Sequence, residues 1–409
     1  MIKTALTDRL LQVALVGLIL MGVGAATVGP FQSIIGIEEI GFSDAAYALI
    51  VTGGAFFSVV ASILVGIYTD QTGRFREALL AALAVGAVAG LLMFFVPSKI
   101  AFLLVHVVLF PVGATAFTQY FAISVVAANE NPKLDRSYVA TLPRATFSGA
   151  FALTPVVWGY ALVKGVDVLA AYAVVAFANV LALAAVLTLW RRDHTVSQTV
   201  KSGKGLLASL SELTEPGLLL RMVLICVISA TNGLYNILLG LLILNNLGGV
   251  ESDVAVFAGL VAFIEIPVMM LTVRFLRVAS ASFLILIGVV IYGGFLAVLG
   301  LMPSIGFAWW LVLPAGIGAG IILSIPIGYV QNLVADRAGA GSSLLSVNHF
   351  GGAIIASAIF AVGTSVTDYQ GVAMIGAVIA IASSALLFVL DYRKAQRMSP
   401  AQALDHGRG

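Results

Sequence analysis

Residues 66–76 read Gly-Ile-Tyr-Thr-Asp-Gln-Thr-Gly-Arg-Phe-Arg, a short polar break between two apolar runs at 44–68 and 78–96. Gly73 permits a tight turn there. Asp70 can receive a neighbouring helix N-terminus or a basic side chain. Arg74 and Arg76 add positive charge to the turn. Each flanking run is as long as a membrane crossing needs, roughly 20 apolar residues. The stretch therefore reads as a loop between two membrane helices.

The rest of the chain repeats that pattern. Of 409 residues, 61% are hydrophobic and 10% are charged, against about 25% charged in ordinary globular domains. Mean hydropathy is +1.09. Water cannot solvate so much apolar surface, whereas lipid can cover it. The net charge of +2 says little by itself. One cysteine, Cys226, excludes an intramolecular disulfide. Lys3 and Arg9 precede an apolar run that reaches about Ile37, well beyond a signal h-region of about 7–15 residues, so an uncleaved first span is expected.

Breaking the chain at polar and Gly/Pro punctuation predicts twelve spans, at 10–37, 44–68, 78–96, 100–127, 137–163, 168–190, 218–247, 253–275, 282–302, 308–332, 342–367 and 371–391. With the N-terminus inside, 17 of the 21 Lys and Arg fall on the cytoplasmic side, Lys99 and Lys164 fall outside, and Arg144 and Arg221 lie within or at the edge of spans. That asymmetry places both termini in the cytoplasm. The hydrophilic stretch 191–217 divides the chain 6 + 6. The expected organisation is an N-terminal six-helix bundle (1–190), a cytoplasmic linker (191–217), a C-terminal six-helix bundle (218–391) and a cytoplasmic tail (392–409). The halves echo each other faintly. "GFSDAAYALIVTGGAFFSVV" opens span two and "GVESDVAVFAGLVAFIEIPVM" opens span eight; aligning Asp44 with Asp253 puts Phe56 opposite Glu265. Asp135-Arg136 and Asp336-Arg337 form a second echo.

Within this frame the 66–76 stretch resembles the G-x-x-x-D-x-x-G-R-x-R/K loop signature of the major facilitator superfamily, in the expected loop. The resemblance implies two parallel six-helix repeats, an all-α fold, and a conformational latch at Gly66, Asp70, Gly73, Arg74 and Arg76. The matching loop of the second half keeps Arg274 and Arg277 but has Ala279 in place of the acid.

Glu265 is the most informative single residue. It lies twelve residues into span eight, about 18 Å along the helix. Acids at that depth are costly and face the protein interior; a carboxyl held there suits reversible protonation. Arg144, roughly 10 Å into span five, either snorkels to the interface or stands in the cavity as a fixed positive charge. Together they are the candidate proton-coupling pair. Asn232 and Asn236 share one face of span seven, with Tyr235 adjacent. Amides and aromatic faces suit an uncharged, polyhydroxylated ligand, and amides also join membrane helices. Gln119 and Tyr120 on span four, Gln32 on span one, and Asn348 with His349 on span eleven complete the candidate binding set. His106 reads as structural. Gly316-Ile-Gly318-Ala-Gly320 lacks the strand–loop–helix context of a nucleotide loop and reads as close helix packing, as does Gly86-x-x-x-Gly90. There is no Walker motif, metal cluster, nucleophile elbow or Cys/His constellation in the sequence. No cofactor, nucleic acid or enzymatic activity is expected.

Three stretches resemble the bacterial sugar efflux transporter family: "GLVAFIEIPVMML" at 259–271, "NLVADRAGAGSSLL" at 332–345 and "FTQYFAI" at 117–123. Glu265-Ile266-Pro267 and Arg337-Ala338-Gly339 carry most of it. Ala335, Asn332 and Thr154-Pro155 depart from the pattern. The resemblance implies export of sugars or sugar-like compounds against proton entry, by a monomer in the bacterial inner membrane. Two other readings stay open. A multidrug exporter of the same fold would use Phe56, Phe57, Met269 and Met270 as walls. A non-transporting membrane sensor would more naturally carry a soluble domain.

Overall fold

The computed structural model describes residues 8–131, 134, 136–190, 216–333 and 340–397. The described residues form helices joined by short loops. They run α1 (Arg9–Glu39), α2 (Asp44–Thr72), α3 (Phe75–Phe95), α4 (Lys99–Ala128), α5 (Arg136–Val163), α6 (Ala170–Leu189), α7 (Pro216–Asn245), α8 (Glu251–Phe275), α9 (Ala281–Leu299), α10 (Ile305–Val330), α11 (Ala340–Thr364) and α12 (Tyr369–Arg397). Eleven of them are long and apolar enough to cross a membrane; in α11 the apolar described segment is the shorter Phe350–Thr364. The expected spans thus correspond one to one with helices. The last helix runs six residues past the expected end at 391, to Arg397. The Asp135-Arg136 and Asp336-Arg337 echo lies outside the described residues or side chains.

Local chemistry sets where the helices start and stop. Asp8 caps α1 by accepting the Leu11 N–H at 3.0 Å, and Ser43, Ser98 and Ser280 do the same for α2, α4 and α9. Asp253, in the first turn of α8, accepts the Val250 N–H at 2.9 Å. α2 ends at Gly73, whose φ of +68° is left-handed; its N–H closes the helix on the Thr69 carbonyl. A side chain at that conformation would be strained, so the glycine expected to make the turn does so.

α1 and α4 are not regular throughout. Pro30 initiates a tight turn at Gly29–Phe31, and wider π-helical turns follow at Ile35–Glu39 and at Val105–Leu109. Prolines lie inside α5 (Pro143, Pro155), α8 (Pro267) and α10 (Pro326). Each removes a helical N–H, a loss that packed neighbours tolerate at membrane depth.

Packing joins helices distant in chain order: α1 lies against α4, α5 and α6, and α7 against α11 and α12. The apolar windows of α7 and α1 are 67% and 61% buried, against 22% for α5. α1 and α7 are thus the most enclosed of the eleven. Large apolar side chains such as Ile100, Trp310 and Val278 stand exposed around the outside, as lipid contact requires.

The loops after the odd-numbered helices gather at one end. There Lys99 lies over the Phe42 ring, and Ile305 N–H bonds the Leu247 carbonyl. Trp190 and Pro216, which flank residues 191–215, and the loop at 73–74 lie at the other end, the linker end. At the linker end Asn131 donates to Asp8 at 3.0 Å, while Arg221 and Tyr329 both bond Asp391 at 2.9 Å.

Candidate functional site

α5 meets α8, and α2 meets α11, along a seam between the first six helices and the last six. Close approach at this seam depends on glycine. A Cβ on Gly159 would lie 3.2 Å from that of Ala255, and one on Gly259 would lie 3.1 Å from Pro155 Cβ. Both contacts sit toward the end away from the linker. Gly240 of α7 likewise leaves no room for a side chain against Ile34 of α1. Among the described residues, three side-chain hydrogen bonds cross the seam. Asn245 donates to Glu38 at 3.2 Å, Tyr369 donates to Asp44 at 3.1 Å, and the Thr52 and Ser357 hydroxyls pair at 2.7 Å. All come from the half of their helices remote from the linker. Tyr47 and Phe360 stack edge-on beside them, at 6.2 Å between centroids.

Toward the linker end the seam opens. Arg144 is exposed and Glu265 half-buried, although both sit well inside their helices. A Cβ at Gly149, between Arg144 and the α5–α8 contact, would meet nothing within 4 Å. The Arg144 and Glu265 charges interact across this opening. Among the described residues, the side-chain hydrogen bonds across the seam all lie at the end remote from the linker.

The wall behind Glu265 is built by α7, α9 and α10. The Tyr235 and Tyr292 hydroxyls both interact electrostatically with the Glu265 carboxylate. Tyr292 donates to Asn232 Oδ1 at 3.2 Å. The Tyr235 ring packs on Tyr292 at 5.8 Å and on Phe295 at 6.0 Å. Its hydroxyl is buried with no hydrogen-bond partner, a cost of about 1–3 kcal/mol unless something supplies one. Asn236 is exposed one turn beyond half-buried Asn232. Glycines let these helices meet. Cβ atoms on Gly316, Gly318 and Gly320 would lie 2.5 Å from Ile264 Cβ, 2.6 Å from Tyr292 Cβ and 2.7 Å from Val268 Cβ, respectively. Gly316 and Gly320 are thus the surface against which the Glu265 segment rests, and Gly318 the surface for Tyr292 of α9.

The structure does not bring every candidate here. Tyr120 is fully buried and points at Gly17 of α1, where it fills space inside the first six helices. Gln119 is buried beside it, with Oε1 unpaired. Gln32 Nε2 sits 3.0 Å from His106 Nδ1, and His106 Nε2 sits 2.8 Å from the Tyr172 hydroxyl, which makes a separate buried chain within the first half. Asn348 accepts from Ser229 at 2.9 Å and so joins α11 to α7. The His349 side chain lies outside the described residues. In the loop at 66–76, Gly66 meets nothing, Arg74 is exposed, and Arg76 Nε is buried without a partner among the described residues. The Asp70 side chain lies outside them. Of the apolar candidates, Phe56, Phe57 and Met270 are exposed, and Phe56 and Phe57 stack edge to face.

Sequence reasoning missed Tyr292, because a tyrosine in an apolar helix carries no periodic signal of its own. It also missed the pairing of Arg221 with Asp391. That pair could have been found: both are charged residues placed near the linker-side ends of helices otherwise almost free of charge.

A polytopic helical bundle in two halves, with a half-buried acid and a basic residue facing each other at the central seam, has the architecture of a membrane carrier of small molecules. Comparison with known proteins agrees. Residues 14–357 match the family model described as Major Facilitator Superfamily, and the chain belongs to that family. It is 27% identical over 382 residues to Sugar efflux transporter A of Dickeya chrysanthemi, covering 91% of this chain and 93% of that one. It is 24% identical over 380 residues to Sugar efflux transporter C of Escherichia coli strain K12, covering 91% and 94%. The crystal structure of the nucleoside transporter NupG superposes with a TM-score of 0.76 at 15% identity, covering 93% of this chain and 98% of that one. The protein is a multi-pass inner-membrane transporter, not an enzyme.

Closure at the end remote from the linker rests on few polar contacts. The double variant Tyr369→Phe with Ser357→Ala removes two of the three cross-seam bonds. Hydrogen–deuterium exchange over residues 44–57 and 350–369 is expected to rise severalfold. Unchanged exchange would mean that apolar packing alone holds this end shut.

Proposed function

We propose that the protein exports sugars or sugar-like polar compounds by alternating access, in exchange for protons. The observation that carries this reading is Glu265. It is a half-buried carboxyl facing Arg144 across the open seam, backed by Asn232, Tyr235 and Tyr292. A lone acid in an otherwise uncharged wall can exchange a proton, and amides and phenols around it suit hydroxyl groups. The curated relatives are named for sugar efflux, which favours sugars over lipophilic drugs. In this reading residues 1–190 and 218–391 are two six-helix halves that rock about the seam, with 191–217 linking them. In this reading the linker and both termini lie in the cytoplasm, which the basic loops favour, and the opening loads from that side. Protonation of Glu265 and occupancy by substrate compete, and proton entry returns the empty carrier. The 66–76 loop latches one of the two states, with Gly73 turning the chain and Asp70 meeting a basic group or a helix N-terminus. A monomer suffices for this cycle.

The test is flux in proteoliposomes. Radiolabelled glucose, lactose and maltose, and tetraphenylphosphonium as a lipophilic cation, are followed with and without an imposed pH gradient. Movement of at least one sugar, accelerated by the gradient, is expected. Movement of the cation alone would replace the sugar reading with drug export. Sugar movement indifferent to the gradient would leave a carrier without proton coupling.

A further inference from the structure

We propose that Tyr292 is a positioning residue that fixes the Asn232 side chain as a hydrogen-bond donor to an oxygen atom of the carried ligand. This rests on the sugar-transport reading above and specifies what the α7 wall recognises.

Tyr292 is fully buried and closely packed. It is packed against Tyr235 at 5.8 Å and Phe295 at 5.6 Å, with the backbone of Gly318 pressed on its own backbone. A hydroxyl proton held away from water needs an acceptor, and Asn232 Oδ1 at 3.2 Å is the one it has. A carboxamide has one acceptor and one donor arm, about 120° apart. Committing Oδ1 to Tyr292 turns the Nδ2 arm away from α9. Asn232 is half-buried, and its Nδ2 is not among the fully buried unpartnered atoms, so this free arm keeps accessible surface. Without Tyr292 the amide could flip and offer either arm.

Tyr235 supplies the second part of the site. Its hydroxyl is more than nine-tenths buried, lacks a partner and lies in the field of Glu265. An Asn232 N–H and a Tyr235 O–H are then the donors of this wall, and Glu265 is its acceptor. Donors on the wall select lone pairs on the ligand: hydroxyl, ring and glycosidic oxygens. The matching ligand is a neutral, oxygen-rich molecule whose hydroxyl protons can also reach the carboxylate. A ligand whose polar groups are all donors, such as an ammonium, leaves both wall donors unpaired.

The experiment is counterflow of radiolabelled glucose, lactose and maltose in proteoliposomes, with tetraphenylphosphonium in parallel. Wild type, Tyr292→Phe, Asn232→Ala, Asn232→Asp and the Tyr292→Phe/Asn232→Ala double variant are compared. Phenylalanine keeps the ring packing, and a melting curve in detergent checks the fold. Tyr292→Phe is expected to raise the KM for the transported sugar about fivefold, the scale of one uncharged hydrogen bond, with little change in maximal rate. Asn232→Asp keeps the acceptor for Tyr292 but loses the donor, so it should raise KM at least as much. The double variant should be no worse than Asn232→Ala alone, because Tyr292 acts through Asn232. Sugar transport with an unchanged KM in Tyr292→Phe, or additive losses in the double variant, would overturn the positioning role and leave the sugar reading standing. If the wild type moves no sugar, the sugar reading falls, and the Asn232 donor falls with it.

Discussion

Glu265→Gln is expected to abolish gradient-driven sugar transport while downhill sugar exchange survives. Glutamine has the shape of glutamate and can still hydrogen-bond, but it cannot gain or lose a proton. Coupling to a pH gradient needs a group that does both. Each pH unit across the membrane is worth about 1.4 kcal/mol per proton, a tenfold concentration ratio for a one-proton exchange. Wild type should therefore build a sugar gradient of about that size per pH unit, and the variant none. The substitution should not unfold the protein. It leaves Arg144 without its counter-charge, yet Arg144 is exposed in the opening. Arg144 and Glu265 interact through their charges rather than in a direct ion pair, and both are partly withdrawn from water. The cost therefore lies between about 0–1 kcal/mol for an exposed pair and about 3–5 kcal/mol for a buried one. A melting temperature close to that of wild type, measured beside the lost accumulation, separates coupling from folding. A variant that still builds the wild-type ratio would remove Glu265 from the proton path and leave the fold assignment intact.

Most of the architecture was legible in the residues. Helices in lipid must be apolar for their full length, so polar punctuation marks their ends. The glycine at 73 could be read as a turn because only glycine takes its φ cheaply. Depth along a helix is also legible, and that picked out Glu265, while a shared face picked out Asn232 with Asn236. Partnership is not. Tyr120 and Tyr235 look alike in sequence, each a tyrosine in an apolar run beside an amide. What separates them is the surface opposite. Tyr120 meets Gly17, far earlier in the chain, and is swallowed by packing; Tyr235 meets Tyr292 and the field of Glu265. Gln32 reads as a cavity residue until His106 is found 3.0 Å away, brought there by the π-helical turn at Val105–Leu109. Periodicity tells which residues share a face. It does not tell which helix that face meets.

The same limit governs the glycines, and it yields the second large effect. Gly318→Ala and Gly328→Ala are one substitution made twice in α10, and they are expected to change stability in opposite directions. In a free helix alanine is favoured over glycine by about 1 kcal/mol, and Gly328 faces open space, with nothing within 4 Å of an added methyl. That variant should be neutral or more stable. At Gly318 the methyl would fall 2.6 Å from Tyr292 Cβ and 2.8 Å from its Cα and backbone N. Backbone cannot rotate aside as a side chain can, so α9 and α10 must separate. Overpacking of this kind costs about 1–3 kcal/mol, and Gly318→Val should cost more. Melting in detergent reads the difference. Because the atoms displaced belong to Tyr292, Gly318→Ala should also weaken sugar affinity, whereas Gly328→Ala should not. If the two variants melt alike, the close approach of α9 and α10 at Gly318 is wrong, and with it the close packing argued for Tyr292. If Gly318→Ala melts low with sugar affinity unchanged, the packing stands, but the wall behind Glu265 does not read its ligand through Tyr292.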